Sequence, residues 1–325
     1  MATTVTSDGP AGVFRGRRSR VERRLVRFLR IDPSETELAR RGFASCPARV
    51  RQQLELHGAS FVHGYHAALA HGAGDELRAE LELVDSAERG FAYEGAAMAL
   101  ALLDLLLRGR RIGAFLAGSA DRHVYMVHVG CGWALARLHR RPWGHLPLDP
   151  LLRWLALDGY GFHEAYFSTD RVVRERRPPR RLRGGERAVF DQGVGRALWF
   201  VCAADAVCIA DTISSFEPER RADLWSGVGL AATYAGAVDD VSLRRLATLA
   251  GVYRADAAQG AAFAAGARVR AGNVVPHVAR GCEALAGAGV TELAELTDRA
   301  LAEIGPGDSA AHYERWRAAI RSELA

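Results

Sequence analysis

The sequence predicts an all-α protein of tandem helical-hairpin repeats, about seven units of 29–35 residues, stacked into a tetratricopeptide-like superhelix or closed into an α/α toroid. Three observations predict it. A small-residue motif, clearest as DQGVGRALWF at 191–200, recurs with lead glycines Gly64, Gly95, Gly130, Gly159, Gly193, Gly227 and Gly260, at intervals of 31, 35, 29, 34, 34 and 33 residues. Arg89, Arg153, Arg187, Arg221 and Arg254 each stand six residues before a lead glycine. Helical spacing of apolar residues is almost unbroken from Gln52 onward, and strand-like alternation is confined to 124–129.

The repeated motif has a physical reading. Glycine costs about 1 kcal/mol against alanine inside a helix, so propensity does not explain seven such motifs. The small residue four positions after the lead glycine (Ala68, Ala99, Ala134, Ala197, Ala231, Ala264) shares its helix face and lets a neighbouring helix approach closely.

Taken in order, residues 1–14 read as a polar tail. The segment from Arg15 to Arg30 holds eight arginines between Val21, Leu25, Val26, Phe28 and Leu29, a basic amphipathic helix. It is expected to pack its apolar stripe on the first repeat, with peripheral membrane contact as the alternative. Asp32-Pro33 and Asp149-Pro150 read as helix starts. The repeats occupy 31–290. Within them 139–150 is a Pro-rich loop, and 168–186 is an exposed loop with seven arginines, Pro178-Pro179 and Gly184-Gly185. Residues 291–325 form capping helices, with Trp316 and Ile320 facing inward.

Composition narrows the function. All 43 basic residues are arginine and the net charge is +5, modest for 325 residues, so nucleic acid is not the expected partner. Five scattered cysteines without a CxxC suit a reducing compartment, hence a cytoplasmic protein. The apolar run 96–107 contains Asp104 and is short for a membrane span. The glycine motifs follow no strand, which removes the context of a nucleotide loop. No cofactor is expected, and a homo-oligomer is left open.

The residues just before the lead glycines are His63, Glu94, Val129, Asp158, Gln192, Ser226 and Gln259, a polar rung in otherwise apolar helices. Four residues on stand Ala67, Met98, Trp133, Phe162, Arg196, Leu230 and Phe263, with Tyr166, Trp199, Phe200 and Tyr234 a turn beyond. An interior with one polar and one largely apolar rung suits a long apolar molecule with a few polar handles. Asp158, Asp191 and Ser226 have a competing reading as helix caps. Glu94, Asp158, His163 and Asp191 are the acid/base candidates. His63, His66, Trp133, Phe162, Gln192, Arg196, Trp199, Tyr234, Gln259 and Asn273 are the candidates for substrate contact. His63, His66 and Glu94 could hold a metal as two histidines and a carboxylate, but their spacing matches no known motif, and no metal is expected.

The series RGFAYEGAAMALALLD, VGCGWALARL, LDPLLRWLALDGYGFHEAYF, FDQGVGRALWFV, RADLWSGVGLAATYAG and QGAAFAAGARVRAGN, spanning about 41–273, resembles an actinobacterial family of domains of unknown function. That family is found beside enediyne polyketide synthase genes and is often labelled UnbL-like enediyne biosynthesis protein. The resemblance implies a role in maturing a linear polyene, and it supplies no active site. The expected function is therefore enediyne (polyketide) natural-product biosynthesis, binding and processing a conjugated polyene in an aromatic-lined helical cavity, alone or with other pathway proteins. A non-catalytic scaffold or carrier, and a helical enzyme on a prenyl substrate, are the alternatives.

Overall fold

A computed structural model describes residues 20–140 and 146–325. The expected tail at 1–14, the start of the arginine segment and the centre of the 139–150 loop lie outside these residues. The chain divides into two compact units, one ending at Ile31 and one running from Asp32 to Ala325. The first holds α1 (Arg20–Leu29), with Glu22 in its first turn and Arg27 in its last, which complements the helix dipole.

The second unit is all-helical among the described residues, including the 124–129 stretch that alternates in sequence. One row of helices packs side by side in the order α2 (Ala48–His71), α4 (Arg89–Leu107), α6 (Val124–Arg137), α7 (Leu155–Phe167), α8 (Gly184–Val201), α10 (Pro218–Ala235), α12 (Arg254–Ala271) and α14 (Val290–Ile304). Shorter helices lie between them in sequence: α3 (Asp75–Glu82), α5 (Arg111–Leu116), α9 (Ala206–Ser214), α11 (Asp240–Ala250) and α13 (Pro276–Ala286). Of these, α9, α11 and α13 touch in series as a second layer. The last helix, α15 (Ala310–Glu323), rests on α8, α12 and α14 and buries Trp316 and Ile320.

The repeat is not a hairpin throughout. Between α6, α7 and α8 the described links carry only a 3-10 turn (Leu152–Trp154) and a π turn (Asp170–Arg174), because proline and glycine interrupt both stretches. The arginine-rich link is also less exposed than its composition suggests, since Val172, Val173 and Leu182 are buried. Asp32 caps only a 3-10 turn, Pro33–Thr36, accepting from the Ser34 amide at 3.0 Å. Asp149 accepts from the Leu151 and Leu152 amides at 2.9 and 2.8 Å.

The glycines set the register of the row. A methyl group added at Gly130, Gly159, Gly193, Gly227 or Gly260 would collide with the carbonyl oxygen of Glu94, Val129, Asp158, Gln192 or Ser226 respectively. Each of these five lead glycines thus sits on the rung residue of the preceding helix, whereas Gly95 sits on Phe61, two residues before His63. The second glycine of each motif returns the contact: Gly132, Gly161, Gly195 and Gly229 face the carbonyls of Ala156, Phe190, Leu224 and Ala257. Such approaches bring Cα–H groups against carbonyls, a contact worth roughly 0.5–1 kcal/mol each. The register places successive rung residues side by side. Replacing Gly193 by alanine is therefore expected to destabilise the fold by roughly 1–3 kcal/mol or more, through overpacking. Gly118→Ala, where the added methyl meets only ordinary contacts, 3.4 Å at the closest, should move the urea midpoint little. Equal midpoints for the two variants would refute this account of the stripe.

The repeated arginine has a local task in two of its five copies. Arg89 donates to the carbonyls of Val84 and Glu82, and Arg221 to those of Phe216 and Ser214, five and seven residues back in each case. Both tie the link after an outer helix to the start of the next inner one. The row curls on itself: His57 on α2 donates to the Ala235 carbonyl of α10 (2.9 Å), and Arg268 on α12 to the Ala87 carbonyl before α4 (2.9 Å).

Candidate functional site

The curl gathers the rung residues of α4, α7 and α8 into one buried node. Glu94 accepts from the Trp133 indole N–H at 3.0 Å and lies 3.8 Å from Arg196. The Arg196 guanidinium donates to one oxygen of Asp158, and the Gln192 amide donates to the other at 2.7 Å. The same Gln192 amide reaches the Tyr313 hydroxyl on α15 at 3.3 Å. Arg196 also stands 5.2 Å from the centre of the Phe162 ring. Two carboxylates thus flank one guanidinium away from water. Burial pushes the Glu94 carboxyl up to about 7; Arg196 opposes the shift, Asp158 adds to it and the Trp133 N–H opposes it. Glu94 can therefore hold or release a proton near neutral pH, while Arg196 is held charged.

Aromatic rings face this node. Phe61 and Trp133 are 4.5 Å apart, Trp133 and Phe162 5.0 Å, Phe162 and Phe200 5.5 Å, and Phe162 and Tyr166 5.9 Å. The five residues form one continuous aromatic run beside the node, and each keeps 6–8% of its surface accessible.

The other predicted residues fall elsewhere. Asp191 forms a two-point pair with Arg220 (2.6 and 2.8 Å), and burial pushes its carboxyl up to about 6 against that pairing. His163 packs its edge on Trp133 at 5.7 Å and stands 3.5 Å from Glu164, whose carboxylate also meets Arg171; burial lowers the His163 pKa. Trp199 donates to the Gly236 carbonyl (3.1 Å) and Asn273 to that of Ser86 (3.0 Å), so both side chains join helix ends. Gln259 accepts from Ser226 (2.7 Å) and Arg317 (3.3 Å). Tyr234 lies under Arg268 at 3.8 Å, its buried hydroxyl against Gly90 and without a hydrogen-bond partner.

His63 is half exposed and 3.6 Å from Glu80 on α3, so it and Glu94 do not share a site, and His66, beside the Tyr65 ring, does not join the node. Among the described residues no three metal-binding groups converge. The reading of Asp158, Asp191 and Ser226 as caps is corrected: all three lie within helices and bond across to neighbouring ones or, for Asp191, to Arg220 on α10. Sequence reasoning missed Tyr313, Arg317 and Arg268. Only Arg268 carried a signal, two helical turns beyond Gly260 on the same stripe.

A curled row of glycine-spaced helices around a buried carboxylate–guanidinium–carboxylate node defines an all-α repeat protein. The chain belongs to the family described as Protein of unknown function (DUF1702), which matches residues 20–324. No curated protein and no solved structure matches it. One described helix, α4, is long and apolar enough to cross a membrane by length and composition, and 89% of its apolar window is buried among other helices.

Proposed function

We propose that this protein binds and processes an elongated conjugated chain, a linear polyene of enediyne polyketide biosynthesis, in a seam that opens along its run of aromatic rings. The observation that carries this reading is the placement of Glu94: a carboxyl poised near neutrality, held by Trp133 in a row of rings that a flat chain can stack on. Glu94 is the proton donor and acceptor in this proposal. Arg196, anchored by Asp158 and Gln192, keeps the site's charge in place as a proton moves. The enediyne setting comes from the resemblance of the repeated motifs.

A carrier is the second reading, favoured by the existing engagement of Asp158 with two donors. The prenyl reading has less support. Arg171, Arg174, Arg177 and Arg181 already meet Glu164, Asp170, Glu175 and the carbonyls of His139 and Arg140, and Asp239 caps α11.

The test is to purify the protein from cells co-expressing an enediyne synthase and its thioesterase, extract it with organic solvent, and record spectrum and mass. A conjugated product of altered mass, replaced by the unaltered polyene in Glu94→Gln, is expected. Unaltered polyene from both proteins would favour the carrier, and an empty protein would refute the binding reading.

A further inference from the structure

The irregular segment 37–47, between the first 3-10 turn and α2, lies across the C-terminal ends of α7 and α8. Its Ala44 amide donates to the Val201 carbonyl at 2.9 Å, and Phe43 packs its edge on Tyr166 at 4.9 Å. The same segment carries Arg41. One of its terminal nitrogens donates to Glu35 (2.9 Å) and the other to the Tyr166 carbonyl (3.0 Å). The guanidinium carbon lies 4.7 Å from the Phe167 ring centre and 5.5 Å from that of Tyr166. The third nitrogen, Nε–H, is buried and has no hydrogen-bond partner. A buried donor without a partner costs about 1–3 kcal/mol, an expense that an incoming acceptor removes.

The rings connect this donor to the node. From Tyr166 the path runs to Phe162 (5.9 Å) and to Trp133 (5.0 Å), whose N–H meets Glu94. Hydrogen-bonding groups therefore stand at both ends of an aromatic run. Glu35 pairs with both Arg40 and Arg41, and Glu55, bonded to the Leu38 amide at 3.1 Å, lies nearby, so two carboxylates balance two guanidinium groups and the free donor suits a neutral oxygen better than an anion.

We propose that Arg41 is a specificity-determining residue: its Nε–H receives the acyl carbonyl oxygen at one end of the chain whose conjugated part lies along Tyr166, Phe162 and Trp133. This rests on the reading of the seam as a polyene site. It adds that the ligand is an acyl-terminated chain, an ester or thioester, rather than a bare hydrocarbon.

Two fluorescent probes separate the claims: the methyl ester of trans-parinaric acid, a conjugated tetraene with an acyl carbonyl, and diphenylhexatriene, a conjugated hydrocarbon without oxygen. Each is titrated into wild type, Arg41→Met, which keeps the apolar stem, and Arg41→Lys, which keeps the charge but not the Nε–H geometry. The expected result is ester affinity lower by about tenfold to a hundredfold in both variants, with hydrocarbon affinity unchanged. Unchanged hydrocarbon binding also reports that the fold is intact. Any other pattern of change, including equal loss of both probes or loss of neither, overturns the assignment of Arg41. Failure of wild type to bind either probe overturns the seam reading itself, and this inference with it.

Discussion

Replacing Arg196 with methionine is expected to cost roughly 3–5 kcal/mol of folding stability, the largest effect of any single change at the node. The reason is the state of Asp158, which is buried and holds only Gln192 once the guanidinium is gone. Glu94 can avoid the same fate by keeping its proton, since burial already favours its neutral form. A second substitution, Asp158→Asn, should recover much of the loss, because it removes the stranded charge while leaving a group of the same shape. Urea denaturation of both single variants and the double variant makes a thermodynamic cycle. If the double variant is as unstable as Arg196→Met alone, packing around the guanidinium, not charge, sets the cost.

The second large effect concerns pH. The Glu94 carboxyl titrates at about 7 in the folded protein against an ordinary value of 4.5, so the folded state holds the proton more tightly. Its contribution is therefore fully present below pH 4.5, falls as pH rises through 7, and is constant above. A shift of this size corresponds to about 3 kcal/mol. Asp191, raised by burial to about 6, acts in the same direction over a lower window that closes near pH 6. Wild type is thus expected to lose stability between pH 5 and 8, and Glu94→Gln to lose less, with the difference between the two curves growing through pH 7. Parallel curves would mean that Glu94 ionises normally. The same titration bears on the proposed chemistry, in which proton donation by Glu94 should weaken as pH passes 7.

Much of this architecture is legible in the sequence because it rests on a periodic steric rule. A glycine every 29–35 residues, in six of seven cases with an alanine one turn on, allows backbones to touch, and from Gly130 onward the touching carbonyls are those of the preceding rung. The same spacing marks Glu94, Asp158 and Gln192 as members of one rung before any fold is known, since they share a register. It also marks Trp133, Phe162 and Arg196, which stand one turn further on.

The rest depended on how far the row curls. Spacing puts Asp158 on the polar rung and Asp191 one residue before it, but it does not show that Asp158 meets Arg196 from the second rung while Asp191 meets Arg220 outside both. His63 holds the same repeat position as Glu94, yet it faces Glu80 on α3, because the register slips at this step: Gly95 sits on the Phe61 carbonyl and not on that of His63. Tyr313 and Arg317 lie beyond the repeats and Arg41 precedes the first glycine motif, and all three meet the row only by packing against it. By itself the sequence determined the helices, their order and their close spacing, which follow from local periodicity and the absence of a side chain on glycine. Which polar groups share a buried space was decided by tertiary structure alone, because burial, partner and pKa depend on residues a whole repeat or more away in sequence, 29 positions for Asp191 and Arg220 and 38 for Asp158 and Arg196.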